Sequence, residues 1–167
     1  MTAAFVSVRG RFWRMLNIRF QTDPLSGEGA RRFGGRWNKM GVPALYLGAD
    51  HSTTIAEFYQ KLDMPGTIVP YDVESGRVAD LTDGKGSPCG REIEAALAAD
   101  WIKLARIDSL EPPSWLLADR LIAAGADGAL VPSAQRRGGT NLVLWRWSAD
   151  GSEGARVRVI DPFGDLR

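Results

Sequence analysis

The chain is poor in the side chains that most enzymes use to hold metals and move protons. It has a single histidine, His51, and a single cysteine, Cys89. A zinc site of the ordinary His/Cys kind needs three or four ligands, so these two residues cannot build one, and no metal is expected. Two-histidine ribonuclease chemistry is excluded for the same reason. A nucleophile–histidine–acid arrangement would have to use His51, which stands in a strand-to-helix turn. One cysteine allows no intrachain disulfide, which suits a reducing compartment. An excess of either charge is also missing. Lys and Arg total 21 against 20 Asp and Glu, a net charge of +1, whereas a general nucleic-acid binder usually shows a clear basic surplus. No apolar run is long enough to cross a bilayer, and the opening MTAAFVSVRGRFWRML has no signal-peptide core. The expectation is a cytoplasmic protein without a membrane partner. At 167 residues, 44% of them hydrophobic, one domain spanning 1–167 is expected.

What is present is a concentration of arginine and glycine. Residues 29–48 read GARRFGGRWNKMGVPALYLG, with three arginines beside a Gly-Gly pair and just ahead of a short apolar run. Such a stretch is either a solvated loop or the mouth of an anion site. Around it the pattern alternates between strand and helix signals. Residues 5–8 and 11–16 read as strands separated by Gly10, and 17–41 as one long loop rich in turn residues. Residues 43–48 form a short strand. A helix follows, capped by Asp50 or Ser52, with Ile55, Phe58, Tyr59 and Leu62 on one apolar stripe. Glu57 lies about 200° round that helix from Ile55, so it is either solvated or turned toward a cleft. Strands are expected at 67–73, with Pro70 marking an edge or bulge, and at 128–132. Residues 82–90 read as a glycine-rich loop. A second helix is expected over 91–105, and a third, capped by Ser114, runs to Gly125. Residues 141–147 and 155–160 complete the strands. The fold class is therefore α+β: a single domain with a mixed, mostly antiparallel sheet and about three helices.

Three segments together carry a resemblance. GGRWNKMGVPALYLG, then STTIAEF, then DGALVPSAQRRGGTNLVLW are similar to the RES domain family, named for an arginine, a glutamate and a serine. The matching positions are Arg36, Glu57 and Ser133. Arg14 in FWRM matches an earlier arginine and Tyr46 in ALYLG the family tyrosine, and the likeness runs from about Arg14 to Trp145. The resemblance implies a toxin of a bacterial toxin–antitoxin pair, with a fold similar to ADP-ribosyltransferase toxins and NAD as substrate. Some such proteins degrade NAD as hydrolases or phosphorylases. Others transfer ADP-ribose to a protein, phosphoribosyl pyrophosphate synthetase among the targets. The implied partner is a helix-turn-helix antitoxin of the Xre type.

The residue types suit that chemistry. Breaking the nicotinamide–ribose bond leaves an oxocarbenium-like ribose, and nicotinamide departs without needing a proton. The site requires a carboxylate for the developing cation, guanidinium groups for the pyrophosphate and an aromatic wall for the ring. Glu57 is expected to stabilise the cation and hold the ribose. Arg36 and Arg14 are expected on pyrophosphate or ribose oxygens, Tyr46 against nicotinamide or its ribose, and Ser133 on ribose or carboxamide. Arg31 and Asn141 are further binding candidates. The expected main activity is transfer of ADP-ribose to a protein target, with NAD glycohydrolase or phosphorylase activity as the alternative. Many transferases carry Glu or Gln two residues before the catalytic glutamate; Ile55 stands there, so arginine is not the expected acceptor. A different class, an RNA-binding module using Trp145-Arg146-Trp147 and the arginine loops, is disfavoured by the balanced charge, and direct nucleic-acid binding is not expected. The apolar residues of the tail, Val157, Val159, Ile160 and Phe163, are either a partner surface or one more core strand.

Overall fold

Two long strands frame everything else. The computed structural model describes residues 4–60, 63–82 and 90–166. Strand β1 (Phe5–Asn17) pairs antiparallel with β3 (Gly66–Asp80), from Phe5 opposite Ala79 to Asn17 opposite Gly66, with one irregularity between Val6 and Val8. Gly10 therefore does not divide β1 into two strands, because the ladder to β3 continues through it. Trp13 of β1 also pairs with Gly48 of β2 (Leu45–Gly48). β2 pairs with β5 (Thr140–Leu144), β5 with β4 (Gly128–Pro132), and β4 lies parallel to the end of β3. The circuit β1–β2–β5–β4–β3–β1 is closed. β7 (Ala155–Val159) attaches to β3 over Tyr71–Glu74, and the two-residue β6 (Trp147–Ser148) to β7.

Strand alternation sorts the side chains into two cores. Phe12, Leu45, Leu47, Tyr71, Leu142 and Leu144 fill the inside of the ring. Val131, Val143 and Trp145 point outward and pack beneath helices with Ile93, Leu117 and Leu121. Each fully buried leucine contributes roughly 2 kcal/mol by removal from water. Val157 is fully buried within the first core, so that part of the tail is strand, while Phe163 is exposed.

The described residues contain five α-helices rather than about three. α1 (Glu28–Phe33), preceded by a 3₁₀ turn at Ile18–Phe20, interrupts what reads as one loop. α2 (His51–Phe58) is capped by Asp50, whose carboxylate accepts from the Thr53 amide, and not by Ser52. The expected helix over 91–105 breaks into α3 (Gly90–Ala98) and α4 (Trp101–Arg106), because Asp100 caps a new start. α5 (Pro113–Ala123) begins after Pro112, and Ser114 is its second residue, not its cap. Leu62 and most of the glycine-rich loop 82–90, Cys89 included, lie outside the described residues. Among the described residues no helix is long and apolar enough to cross a membrane.

Candidate active site

Outward-facing positions of the ring form the floor of a cleft of about 380 Å³. Tyr46, Gly48, Val131 and Asn141 lie there because they alternate with the inward-facing Leu45, Leu47, Leu130 and Leu142. One wall is α2 with Glu57 and Phe58; another is the turn Gly34–Trp37; Trp13, Arg14 and Trp101 complete the rim.

Glu57 reaches the cleft through the packing of α2. The helix buries Thr53 and Thr54, and the residues expected to form its apolar stripe, Ile55 and Tyr59, are exposed. Thr53 and Glu57 are one turn apart and share a face, so the threonine side of the helix carries the glutamate to the sheet. Gly48 makes that contact possible, since a Cβ there would collide with Oγ1 of Thr54.

The carboxylate is held on one side only. Oε1 of Glu57 accepts from the Ser133 hydroxyl at 2.6 Å and from Nδ2 of Asn141 at 2.7 Å. Ser133 Oγ in turn accepts from the amides of Gln135 and Arg136 at 3.2 and 3.0 Å, which directs its proton to the carboxylate. Among the described residues Oε2 has no hydrogen-bond partner. Ser133, expected to touch the ligand, is instead spent on Glu57 and is not part of the cleft lining. Asn141 lines the cleft but its amide also points at Glu57.

The arginines divide. Arg36 Nη1 donates to the carbonyls of Ala96, Leu97 and Ala99 at the end of α3, at 3.2, 3.4 and 3.2 Å. That is the negative end of the helix dipole, and it anchors the guanidinium while Nε and Nη2 have no hydrogen-bond partner among the described residues. Arg14 Nη1 donates to Pro24 O and Ser26 O, both at 3.2 Å, and the residue lines the cleft. Arg31 is not in the site. It is exposed, and both its Nε and Nη2 are taken by Glu28 at 2.7 and 2.6 Å.

Tyr46 presents its ring, not its hydroxyl. The phenol donates to Asn38 Oδ1 at 2.7 Å and accepts from the Trp37 amide at 3.1 Å, and burial pushes its ionisation up. Its hydroxyl braces the arginine turn. Three further donors fix the same turn. Trp115 Nε1 donates to Gly35 O and Trp145 Nε1 to Trp37 O. The buried amide of Asn38 donates to Ala30 O and Val42 O, both at 2.8 Å. A Cβ at Gly35 would lie 2.6 Å from the Tyr46 oxygen, so only glycine lets the turn lie on the ring. Sequence reasoning missed Asn38, Trp13 and Trp101. Asn38 was visible as the polar residue of GGRWN, but nothing in the pattern sets the two tryptophans apart from the other four.

A model of the RES domain matches residues 11–163. The chain belongs to the RES domain family. Relatives of the chain include NAD(+) phosphorylase MbcT of Mycobacterium bovis and of Mycobacterium tuberculosis. Each is 33% identical over 137 residues, covering 73% of this chain. The chain spans about two thirds, 66%, of the length of those relatives. A solved structure, the M. tuberculosis MbcT–MbcA toxin–antitoxin complex, shares the fold with a TM-score of 0.58 at 24% identity. The match covers 95% of this chain and 87% of that one.

Proposed function

We propose that this RES-domain protein consumes NAD by breaking its nicotinamide–ribose bond, and that it acts as the toxin of a toxin–antitoxin pair. The observation that carries the reading is Glu57 in the cleft, with Oε1 clamped by Ser133 and Asn141 and Oε2 free among the described residues. A fixed carboxylate aimed into a partly closed cleft stabilises positive charge as it develops and needs no reorganisation to do so. The electron pair of the broken C–N bond goes to the nicotinamide nitrogen, which loses its charge, so no general acid is required. An incoming oxygen then supplies the pair for the new bond at the ribose carbon.

The acceptor we place first is inorganic phosphate, since the 33%-identical relatives are named phosphorylases; the product is then ADP-ribose carrying a phosphate on the reacting carbon. Among the described residues Arg14 and Arg36 are the cations that line the cleft, and they serve the pyrophosphate and the incoming anion. Transfer to a protein such as phosphoribosyl pyrophosphate synthetase is the competing outcome, and an Xre-type helix-turn-helix antitoxin is the proposed partner. The test is nicotinamide release by purified protein with NAD, with and without phosphate, beside Glu57→Gln. Wild-type release that rises with phosphate and drops at least about a hundredfold in the variant is expected. Release indifferent to Glu57, or none at all, would overturn the reading; a labelled protein in a lysate given labelled NAD would move the acceptor from phosphate to protein.

A further inference from the structure

We propose that Trp101 is the platform for the adenine base, and that it sets the preference of the site for a whole dinucleotide over its nicotinamide half. The proposal rests on the NAD reading above. Trp101 opens α4, lines the cleft and is half-exposed. Its ring is braced rather than loose. The Arg106 guanidinium lies 5.8 Å from the ring centre, and Trp115 packs beside it at 6.4 Å. Trp115 is itself tied to the arginine turn through Gly35 O at 2.8 Å. A half-exposed tryptophan held on such a frame is a flat, preformed stacking surface, which suits any purine.

Its place in the cleft decides which base it takes. Arg36 bonds the carbonyl of Ala99, two residues before Trp101, at 3.2 Å, so arginine and tryptophan stand on the same wall. Glu57 and Phe58 come from α2, on the wall that also braces Trp13 through His51, 4.7 Å away and edge-on. If the bond to be broken lies at Glu57 and the pyrophosphate is held at Arg36, the part of NAD beyond the pyrophosphate is the adenosine half, and Trp101 is the aromatic surface on that side. Trp13 and Phe58 remain for the nicotinamide end.

The experiment compares AMP and nicotinamide as inhibitors of NAD cleavage by the wild-type chain, Trp101→Ala and Trp101→Phe. Loss of one base–aromatic stack weakens binding on the order of tenfold. Trp101→Ala is therefore expected to raise the AMP inhibition constant and the KM for NAD by about that factor, with nicotinamide inhibition unchanged and kcat little altered. Trp101→Phe should recover most of the loss. A purely structural tryptophan would weaken AMP and nicotinamide together, and that result overturns the proposal. So does an AMP constant that Trp101→Ala leaves unmoved while wild type cleaves NAD normally. If wild type releases no nicotinamide at all, the NAD reading fails first and this one with it.

Discussion

A carboxylate that stabilises a short-lived cation has to stay aimed, and Glu57 is aimed by Ser133. The serine hydroxyl is committed to Oε1 at 2.6 Å because two backbone amides fill its acceptor side. Ser133→Ala is expected to lower kcat for nicotinamide release by about ten- to a hundredfold, the scale of a small misplacement of a reacting group. KM should be nearly unchanged, and Ser133→Thr should restore most of the rate; steady-state kinetics on the three proteins checks it. Part of the cleft lining was legible in the sequence, though not the bond from Ser133 to Glu57. Arg14, Arg36, Tyr46, Glu57 and Asn141 all line the cleft. The roles were less so. Of the apolar stripe of α2, Ile55 and Tyr59 point to solvent, since two threonines make the buried contact. Arg31 is the weaker binding candidate in the sequence, and a glutamate three residues earlier takes it away. Hydrogen bonds between residues some 80 positions apart, such as Asn141 to Glu57, have no trace in local sequence.

Among elements, the junction of β2 and α2 is where the site is most easily broken. Gly48 ends β2 against the first turn of α2, and a methyl there meets both the side chain and the backbone of Thr54. Gly48→Ala is expected to destabilise the protein by about 2 kcal/mol, as overpacking does, and to displace Glu57 with the helix. A denaturant titration paired with a nicotinamide-release assay would show both losses together; an unchanged midpoint would show that the helix shifts freely. Element types were readable where periodicity was strong, as in β4, β7 and α5. Boundaries were lost where one residue decides them. Asp100 splits a helix that hydrophobic spacing alone runs together, and the pairing with β3 carries β1 straight through Gly10. α1 was hidden because its six residues lie between glycines and its described residues are not buried in the core.

At the scale of the whole molecule, acid acts on stability through carboxylates outside the cleft lining. Two arginines hold the Glu28 carboxyl down from the usual 4.5 to about 2, and hydrogen bonds from Ser152 and Ser148 hold Asp150 down from 3.8 to about 2. The Thr53 amide likewise lowers Asp50, with Arg136 adding to it. Groups depressed in the folded state favour it above their unfolded pKa and stop doing so as pH falls toward their folded pKa. Thermal unfolding is therefore expected to be flat from pH 7 to about 5 and to move to lower temperature between about 4.5 and 2. Asp150 is exposed and Glu28 and Asp50 are partly so, so the decline should be shallow and sensitive to salt; a Tm scan in low and high salt checks both. The closed ring of strands is the feature that no local pattern announced, because it depends on a single pairing of Trp13 with Gly48 and on the far end of β3 meeting β4.

That architecture also governs how the chain responds to being pulled. β1 and β7 both run antiparallel to β3, so the beginning of β1 and the end of β7 leave the sheet in opposite directions along the same strand. Tension between the two ends loads the ladders lengthwise, and their hydrogen bonds must yield together instead of one after another. Extension between these two ends is therefore opposed by shear along β3 and not by unzipping from one terminus.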